Sequence, residues 1–195
     1  AGVHDACRRV RQGELLAREL RPLVQAVLRV AVAAQPLPDA APQTGHAHPL
    51  FSRQPVADGG EGTAECFISA LGAEKVNVTA SGPYGEKITA FYARFGDTAI
   101  IEMAAAAGLP MVGKRKNPEK TTTFGVGEMI ADAVKCGAKR ILLGLGGSCT
   151  NDGGCGCCAA LGVQFFDEDG KSFVPIGETL SKIKKIDVKK AEKLL

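Results

Sequence analysis

The run Arg140-Ile-Leu-Leu-Gly-Leu-Gly-Gly-Ser-Cys-Thr-Asn-Asp-Gly-Gly154 constrains this chain more than any other stretch, because an apolar strand empties into a turn of glycines and small polar residues. Residues 141–145 form a short continuous apolar run, the pattern of a strand buried on both faces. Gly144, Gly146 and Gly147 carry no side chains that would hold a ligand away from the backbone, so bare amides can face an anion. Ser148, Thr150 and Asn151 add hydroxyl and amide donors. From Gly153 and Gly154 onward the sequence reads as the first turn of a helix, whose N-terminus carries partial positive charge. The combination suits a phosphate. Asp152 is the odd member, since a carboxylate beside a phosphate repels it unless a cation intervenes or the acid has a proton to move. Two readings follow for Asp152: magnesium binding or proton transfer, or the cap of the following helix, worth about 0.5–2 kcal/mol.

A second acidic glycine turn stands upstream, at Pro55-Val-Ala-Asp-Gly-Gly-Glu-Gly-Thr63. Asp58 and Glu61 flank Gly59 and Gly60, and Ala64, Phe67, Ile68 and Leu71 then recur at helical spacing with Gly72 as the stop. Alone, this is a loop and an N-cap. The repetition of Asp-Gly-Gly at 58–60 and 152–154, each at a loop-to-helix junction, raises the expectation that the two turns face one another across one site.

Between the turns the pattern alternates. Residues 75–80, 87–95 and 98–101 read as strands joined by the turns at 81–86 and 96–97, a β-meander or mixed sheet. Glu102 follows directly on the third strand, at the end where α/β enzymes place functional groups. A short helix over 103–107 stops at Gly108. Thr123 is placed to cap a helix over 124–136 that crosses over to the strand at Ile141, and the same β-α-β logic predicts a helix over 154–161 and a strand over 163–166.

The motifs come together as a resemblance. Pro-Val-Ala-Asp-Gly-Gly-Glu-Gly-Thr at 55–63, Ser-Gly-Pro-Tyr-Gly-Glu at 81–86, Ile-Glu-Met-Ala-Ala-Ala-Ala-Gly-Leu at 101–109, Asn-Pro-Glu-Lys-Thr-Thr-Thr-Phe-Gly-Val-Gly-Glu at 117–128 and Gly-Gly-Ser-Cys-Thr-Asn-Asp-Gly-Gly at 146–154 resemble the bacterial-type glycerate kinases over about residues 55–188. The resemblance implies an α/β architecture of two domains, a Rossmann-like domain with an inserted α/β domain and the substrate cleft between them, here incomplete because the family continues well past Leu195. It implies phosphorylation of glycerate with ATP and Mg2+, at the 2-hydroxyl, which nothing in the residues themselves separates from the 3-hydroxyl; the odd cysteine count points to reduced thiols and a cytoplasmic setting.

The site expected from the resemblance is broad. Asp58 and Asp152 are the acids that hold magnesium or receive the hydroxyl proton, in an order the residues do not fix. Gly59, Gly60, Glu61, Glu102, Gly146, Gly147, Ser148, Thr150, Asn151, Gly153 and Gly154 hold phosphate or substrate oxygens. In the basic stretch before the third helix, Lys114 and Lys116 read as a solvated loop, whereas the resemblance favours Arg115 and Asn117 as ligands, with Thr121, Thr122, Thr123 and Gly125 as donors at a helix N-terminus. Glu128, one turn further, either joins the site or satisfies that terminus.

Composition divides the chain near the same boundary. Residues 1–55 hold seven Arg and no Lys, residues 56–195 hold three Arg and fourteen Lys, and all three His lie at 4, 46 and 48. Residues 1–54 therefore read as an atypical segment outside the family fold, with an apolar helical pattern at 14–34, a Pro/Ala/His-rich linker after it, and an organelle-targeting signal as the alternative reading of its Arg-rich opening. Residues 55–195 read as a partial kinase-like α/β region, a fragment or truncated product that either retains turnover or is a non-catalytic remnant.

Other classes fit less well. A net charge of +3 without an aromatic-basic stripe gives nucleic acid little to bind, and no segment supplies the ~20 apolar residues of a membrane span. Gly144-x-Gly146-Gly147 is not a dinucleotide fingerprint. Cys149, Cys155, Cys157 and Cys158 cluster, but the last three leave one helix in different directions, so close packing by reduced thiols is the economical reading and zinc is not. The partners expected are glycerate and ATP, with homo-oligomerisation left open.

Overall fold

A computed structural model of the chain describes residues 59–191; the helical pattern at 14–34, the linker after it and Asp58 lie outside the described residues. In chain order come α1 (Thr63–Leu71), β1 (Glu74–Ser81), β2 (Lys87–Phe95), β3 (Thr98–Glu102), α2 (Ala104–Ala107), a 3-10 turn (Leu109–Val112), α3 (Phe124–Lys135), β4 (Arg140–Gly144), α4 (Cys155–Ala160), β5 (Gln164–Phe166), β6 (Ser172–Phe173), a second 3-10 turn (Gly177–Lys182) and β7 (Lys185–Asp187).

Strands β1 to β4 form one sheet in that order. The first three make the expected antiparallel meander, and β4 joins β3 in parallel after the α3 crossover, with Ile100 opposite Leu142 and Glu102 opposite Gly144. Because strand side chains alternate, β2, β3 and β4 feed two cores. Phe91, Ala93, Ile100 and Leu142 pack with Ala64, Phe67 and Ile68 of α1 on one face. Ala90, Tyr92, Ala99, Ile101, Ile141 and Leu143 pack with α2 and with Val126, Met129, Ile130 and Ala133 of α3 on the other. The result is a three-layer α/β sandwich, and both β3 and β4 end at the same edge of it.

Two expectations are corrected here. Strand β4 is not buried on both faces along its length: Ile141 is buried, Leu142 and Leu143 are half-buried, and Leu145 is 65% exposed. Among the described residues β4 pairs with β3 alone, so no second strand covers it. The second β-α-β unit does not form either, because β5 leaves the main sheet and pairs antiparallel with β6 and β7. Helix α4 has six residues and therefore rises about 9 Å, against about 17 Å for the five residues of β4, too little to carry the chain back beside it.

This second sheet closes on α4. Cys155, Val163, Phe165, Ile183 and Ala191 form its buried core, with Cys158 packed against them. Burial, reinforced by the neighbouring thiol and Asp152, pushes the Cys155 thiol up to about 12, and burial likewise takes Cys158 up to about 11 and Cys157 above its ordinary range. The unfolded chain releases these protons near pH 9, while the folded chain keeps those of Cys158 and Cys155 for a further two to three pH units. Their contribution is thus fully present below pH 9 and is lost as the pH rises towards the folded values. Chemical denaturation is expected to show stability falling from about pH 9 to 10.5, and a Cys155→Ala/Cys157→Ala/Cys158→Ala variant to show a flatter profile; equal slopes would remove the thiols as the cause.

Candidate active site

The two glycine turns touch. The amide of Gly146 donates to the carbonyl of Gly59 at 2.8 Å, and the approach leaves no room for side chains: a Cβ on Gly144 would stand 2.6 Å from the Gly59 oxygen, and one on Gly146 would stand 2.7 Å from Cα of Gly60. Gly147 has a φ of +69°, where glycine is at ease, and the Glu61 carboxyl carbon lies 2.6 Å from where its Cβ would be. The sequence separation between the turns is closed by backbone contact.

Glu102, the last residue of β3, holds the upstream turn from below. It is 6% exposed, and its carboxylate accepts from the Ala64 amide at 2.6 Å and the Gly62 amide at 3.3 Å. Gly62 offers no side-chain cap, so Glu102 supplies from another strand the anion that the N-terminus of α1 attracts.

Asp152 does the same at two helices. Its side chain is 1% exposed. One oxygen accepts from the Gly154 amide at 2.9 Å and the Thr123 hydroxyl at 3.2 Å. The other accepts from the Thr123 amide at 2.8 Å, the Thr123 hydroxyl at 2.9 Å, the Gly156 amide at 3.2 Å and the Thr122 hydroxyl at 3.4 Å. These donors belong to the N-termini of α3 and α4, so the capping reading describes what this carboxylate touches. Magnesium binding or proton transfer by Asp152 would require a lone pair directed at a ligand, and this arrangement commits both oxygens to the protein. The expected Thr123 cap differs correspondingly: the hydroxyl does not cap α3 but donates to Asp152 while accepting from the Cys157 amide at 2.8 Å.

The downstream turn is tied down at several points. Asn151 gives its amide to the Pro118 carbonyl at 3.2 Å, Cys149 gives its amide to Ala107 at 2.9 Å, and Thr150 gives its amide to the Ser148 hydroxyl at 3.2 Å. Of the glycine amides expected to be bare, that of Gly146 is likewise taken, by the Gly59 carbonyl. Gly147 and Ser148 are exposed, and their amides meet no acceptor among the described residues. The Thr150 hydroxyl is buried and has no hydrogen-bond partner among them. Asn151 and Gly153 are exposed, and Gly153 and Gly154 both have positive φ.

The loop before α3 sorts into structural and available residues. Thr121 is fully buried and donates to the Cys149 carbonyl at 3.0 Å, and Thr122 accepts from the Phe124 amide at 3.2 Å. Asn117 makes its own local turn, accepting from the Glu119 amide at 3.1 Å. Gly125 is buried where its Cα faces the Ser81 carbonyl, and Glu128 accepts from the Ser81 amide at 2.6 Å. Arg115 lies with its guanidinium 4.3 Å from the centre of the Tyr84 ring, and the Tyr84 hydroxyl donates to the Arg115 carbonyl. It is Lys116, read from sequence as a solvated charge, that reaches a cavity.

That cavity, about 530 Å³, is lined by Glu61, Leu109, Pro110, Gly113, Lys116 and Gly147. Its volume falls in the ordinary range for small-molecule sites. It joins the two turns through Glu61 and Gly147. The 3-10 turn that forms another wall is fastened to the downstream glycine turn by the Leu109 amide, which donates to the Gly147 carbonyl at 2.8 Å, and by the bridge between Gly108 and Ser148. Leu109 closes the 101–109 motif, but Pro110, Gly113 and Lys116 had no motif signal; their placement depends on how this loop is pinned. Asp58 lies outside the described residues.

Comparison with known proteins places the chain among relatives. The chain is 45% identical over 141 residues to a glycerate kinase of Bacillus subtilis, covering 71% of this chain and 37% of that protein, and 44% identical over 137 residues to a glycerate 2-kinase of Escherichia coli, covering 69% and 36%. A crystal structure named for glycerate kinase 2 of Salmonella typhimurium LT2 superposes with a TM-score of 0.65 at 43% identity, over 69% of this chain and 37% of that one. The chain thus spans less than two fifths of the length of these relatives. The glycerate kinase family profile matches residues 31–195. With a profile that covers most of the sequence and includes both of the glycine turns that the fold brings into contact, this chain belongs to the glycerate kinase family.

Proposed function

We propose that the chain forms part of a kinase site that transfers the γ-phosphoryl group of ATP to the 2-hydroxyl of glycerate. The observation that carries this reading is the direct contact of the two glycine turns, Gly146 amide to Gly59 carbonyl, beside a cavity to which each contributes. Phosphoryl transfer asks a protein mainly to position its reactants and neutralise charge. Exposed Gly147 and Ser148 amides and the Thr150 hydroxyl are donors for phosphate or substrate oxygens. Asn151 and Gly153 border the same turn. Glu102 and Asp152 act here as positioning residues, fixing α1, α3 and α4 against it.

Magnesium accompanies ATP in such a reaction and would supply positive charge against the phosphates. The Asp152 carboxylate, surrounded by donors, does not fit the ion, and among the described residues no group of three His, Cys, Asp or Glu is arranged to hold one. Magnesium usually keeps several waters and needs only one or two protein carboxylates beside the phosphates.

No helix among the described residues is long and apolar enough to cross a membrane. The test is direct: supply the chain with Mg-ATP and D-glycerate, follow ADP, and separate 2- from 3-phosphoglycerate by phosphorus NMR. Glycerate-dependent ADP with 2-phosphoglycerate as product is expected. Nucleotide binding without glycerate-dependent turnover would sink the reading for this chain and leave a non-catalytic member of the family.

A further inference from the structure

We infer that the cavity between the glycine turns and the 109–116 loop is the subsite for the hydroxy acid, with Lys116 as ligand of the substrate carboxylate and Glu61 as acceptor of a substrate hydroxyl. The inference rests on the glycerate reading above and deepens it. Of the three adjacent cations, Arg115 is stacked on Tyr84 and Lys114 does not line the cavity. Lys116 lines it, and its ammonium forms no ion pair among the described residues. Its charge is therefore available to a ligand.

Glu61 faces the same space. Its carboxylate lies over Gly147, where a side chain would displace it, and accepts no hydrogen bond among the described residues. A cavity with one cation, one carboxylate and otherwise apolar or bare-backbone walls discriminates between anions. A phosphate carrying two charges gains from Lys116 but meets the like charge of Glu61, which opposes its binding. A hydroxy acid carries a single charge for Lys116 and neutral hydroxyls that donate to Glu61. Lysine acts here as a point charge, suited to a carboxylate approaching from several angles.

The experiment titrates D-glycerate and, separately, ATP into the full chain and into Lys116→Gln and Lys114→Gln variants by calorimetry, with melting temperatures alongside and the steady-state assay run in parallel. Removing one charge-assisted contact is expected to weaken D-glycerate on the order of tenfold to a hundredfold in Lys116→Gln. ATP affinity is expected to stay within about twofold, and Lys114→Gln to change neither. An unchanged glycerate affinity in Lys116→Gln, or a loss falling on ATP instead, would overturn the assignment. Glycerate binding that depends on Lys116 in a chain without turnover would support the subsite while defeating the proposed activity; turnover with a Lys116-independent glycerate affinity would do the reverse. Absence of any glycerate binding by the unaltered chain would overturn both.

Discussion

Asp152→Ala is expected to lose about 3–5 kcal/mol of folding stability, measured as a shift in the urea or thermal transition. The Thr123 and Gly156 amides are buried with it, and each orphaned buried donor costs about 1–3 kcal/mol. The N-termini of α3 and α4 also lose the negative charge that complements their dipoles. Against the roughly 5–15 kcal/mol that typically holds a domain together, such a loss removes much of the margin. Asp152→Asn keeps one acceptor and turns a donor towards another donor, so an intermediate loss is expected. Turnover alone is therefore a poor probe of this residue, because a melted site and a missing base look the same in an assay. Asp152→Ala within about 0.5 kcal/mol of the unaltered chain, with turnover abolished, would return the carboxylate to the chemistry.

The same residue shows where sequence reasoning stops. An acid before Gly-Gly at a loop-to-helix junction is equally the pattern of a phosphate turn, a metal ligand and a helix cap, and only the position of Thr123 and Gly156 around it separates them. Local signals were legible where the physics is local. Gly72, which closes α1 in the left-handed conformation with its amide on the Ile68 carbonyl, marks a helix end from sequence because few other residues take that backbone readily. The alternating apolar residues of β2 and β3 likewise give both faces of the sheet, since period two is a property of the strand itself. The departure of β5 into a second sheet was not legible, because helix α4 is shorter than the apolar pattern around it suggests and the crossover fails for want of length. Three neighbouring cations look alike in sequence, and only the resemblance favoured Arg115 over Lys116. Tyr84, a partner 31 residues away, engages Arg115 and leaves Lys116 to the cavity.

Gly125→Ala is expected to be more damaging than its place in a helix would suggest. In an exposed helix interior, replacing Gly with Ala stabilises by about 1 kcal/mol, since Ala loses less backbone freedom on folding. At Gly125 the new methyl would overlap the Ser81 carbonyl oxygen, stand 2.8 Å from its carbon and 3.1 Å from the Ala106 methyl. Neither neighbour is free to yield. Ser81 ends β1 and gives its amide to Glu128 of the same helix, and Ala106 is buried in α2. Overpacking of a rigid contact costs about 1–3 kcal/mol and occasionally more, and a clash with backbone belongs at the upper end, so the steric loss exceeds the propensity gain. A net destabilisation of about 2 kcal/mol or more is expected from denaturant titration. Helix α3 would also have to back away from β1, and its N-terminus carries the Thr122 and Thr123 contacts to Asp152. Altered amide exchange at Thr123 and Gly156 in the variant would show that the displacement reaches the downstream turn. A Gly125→Ala chain as stable as the original would mean that α3 does not sit this close to β1, and the packing that aligns the two glycine turns would have to be drawn differently.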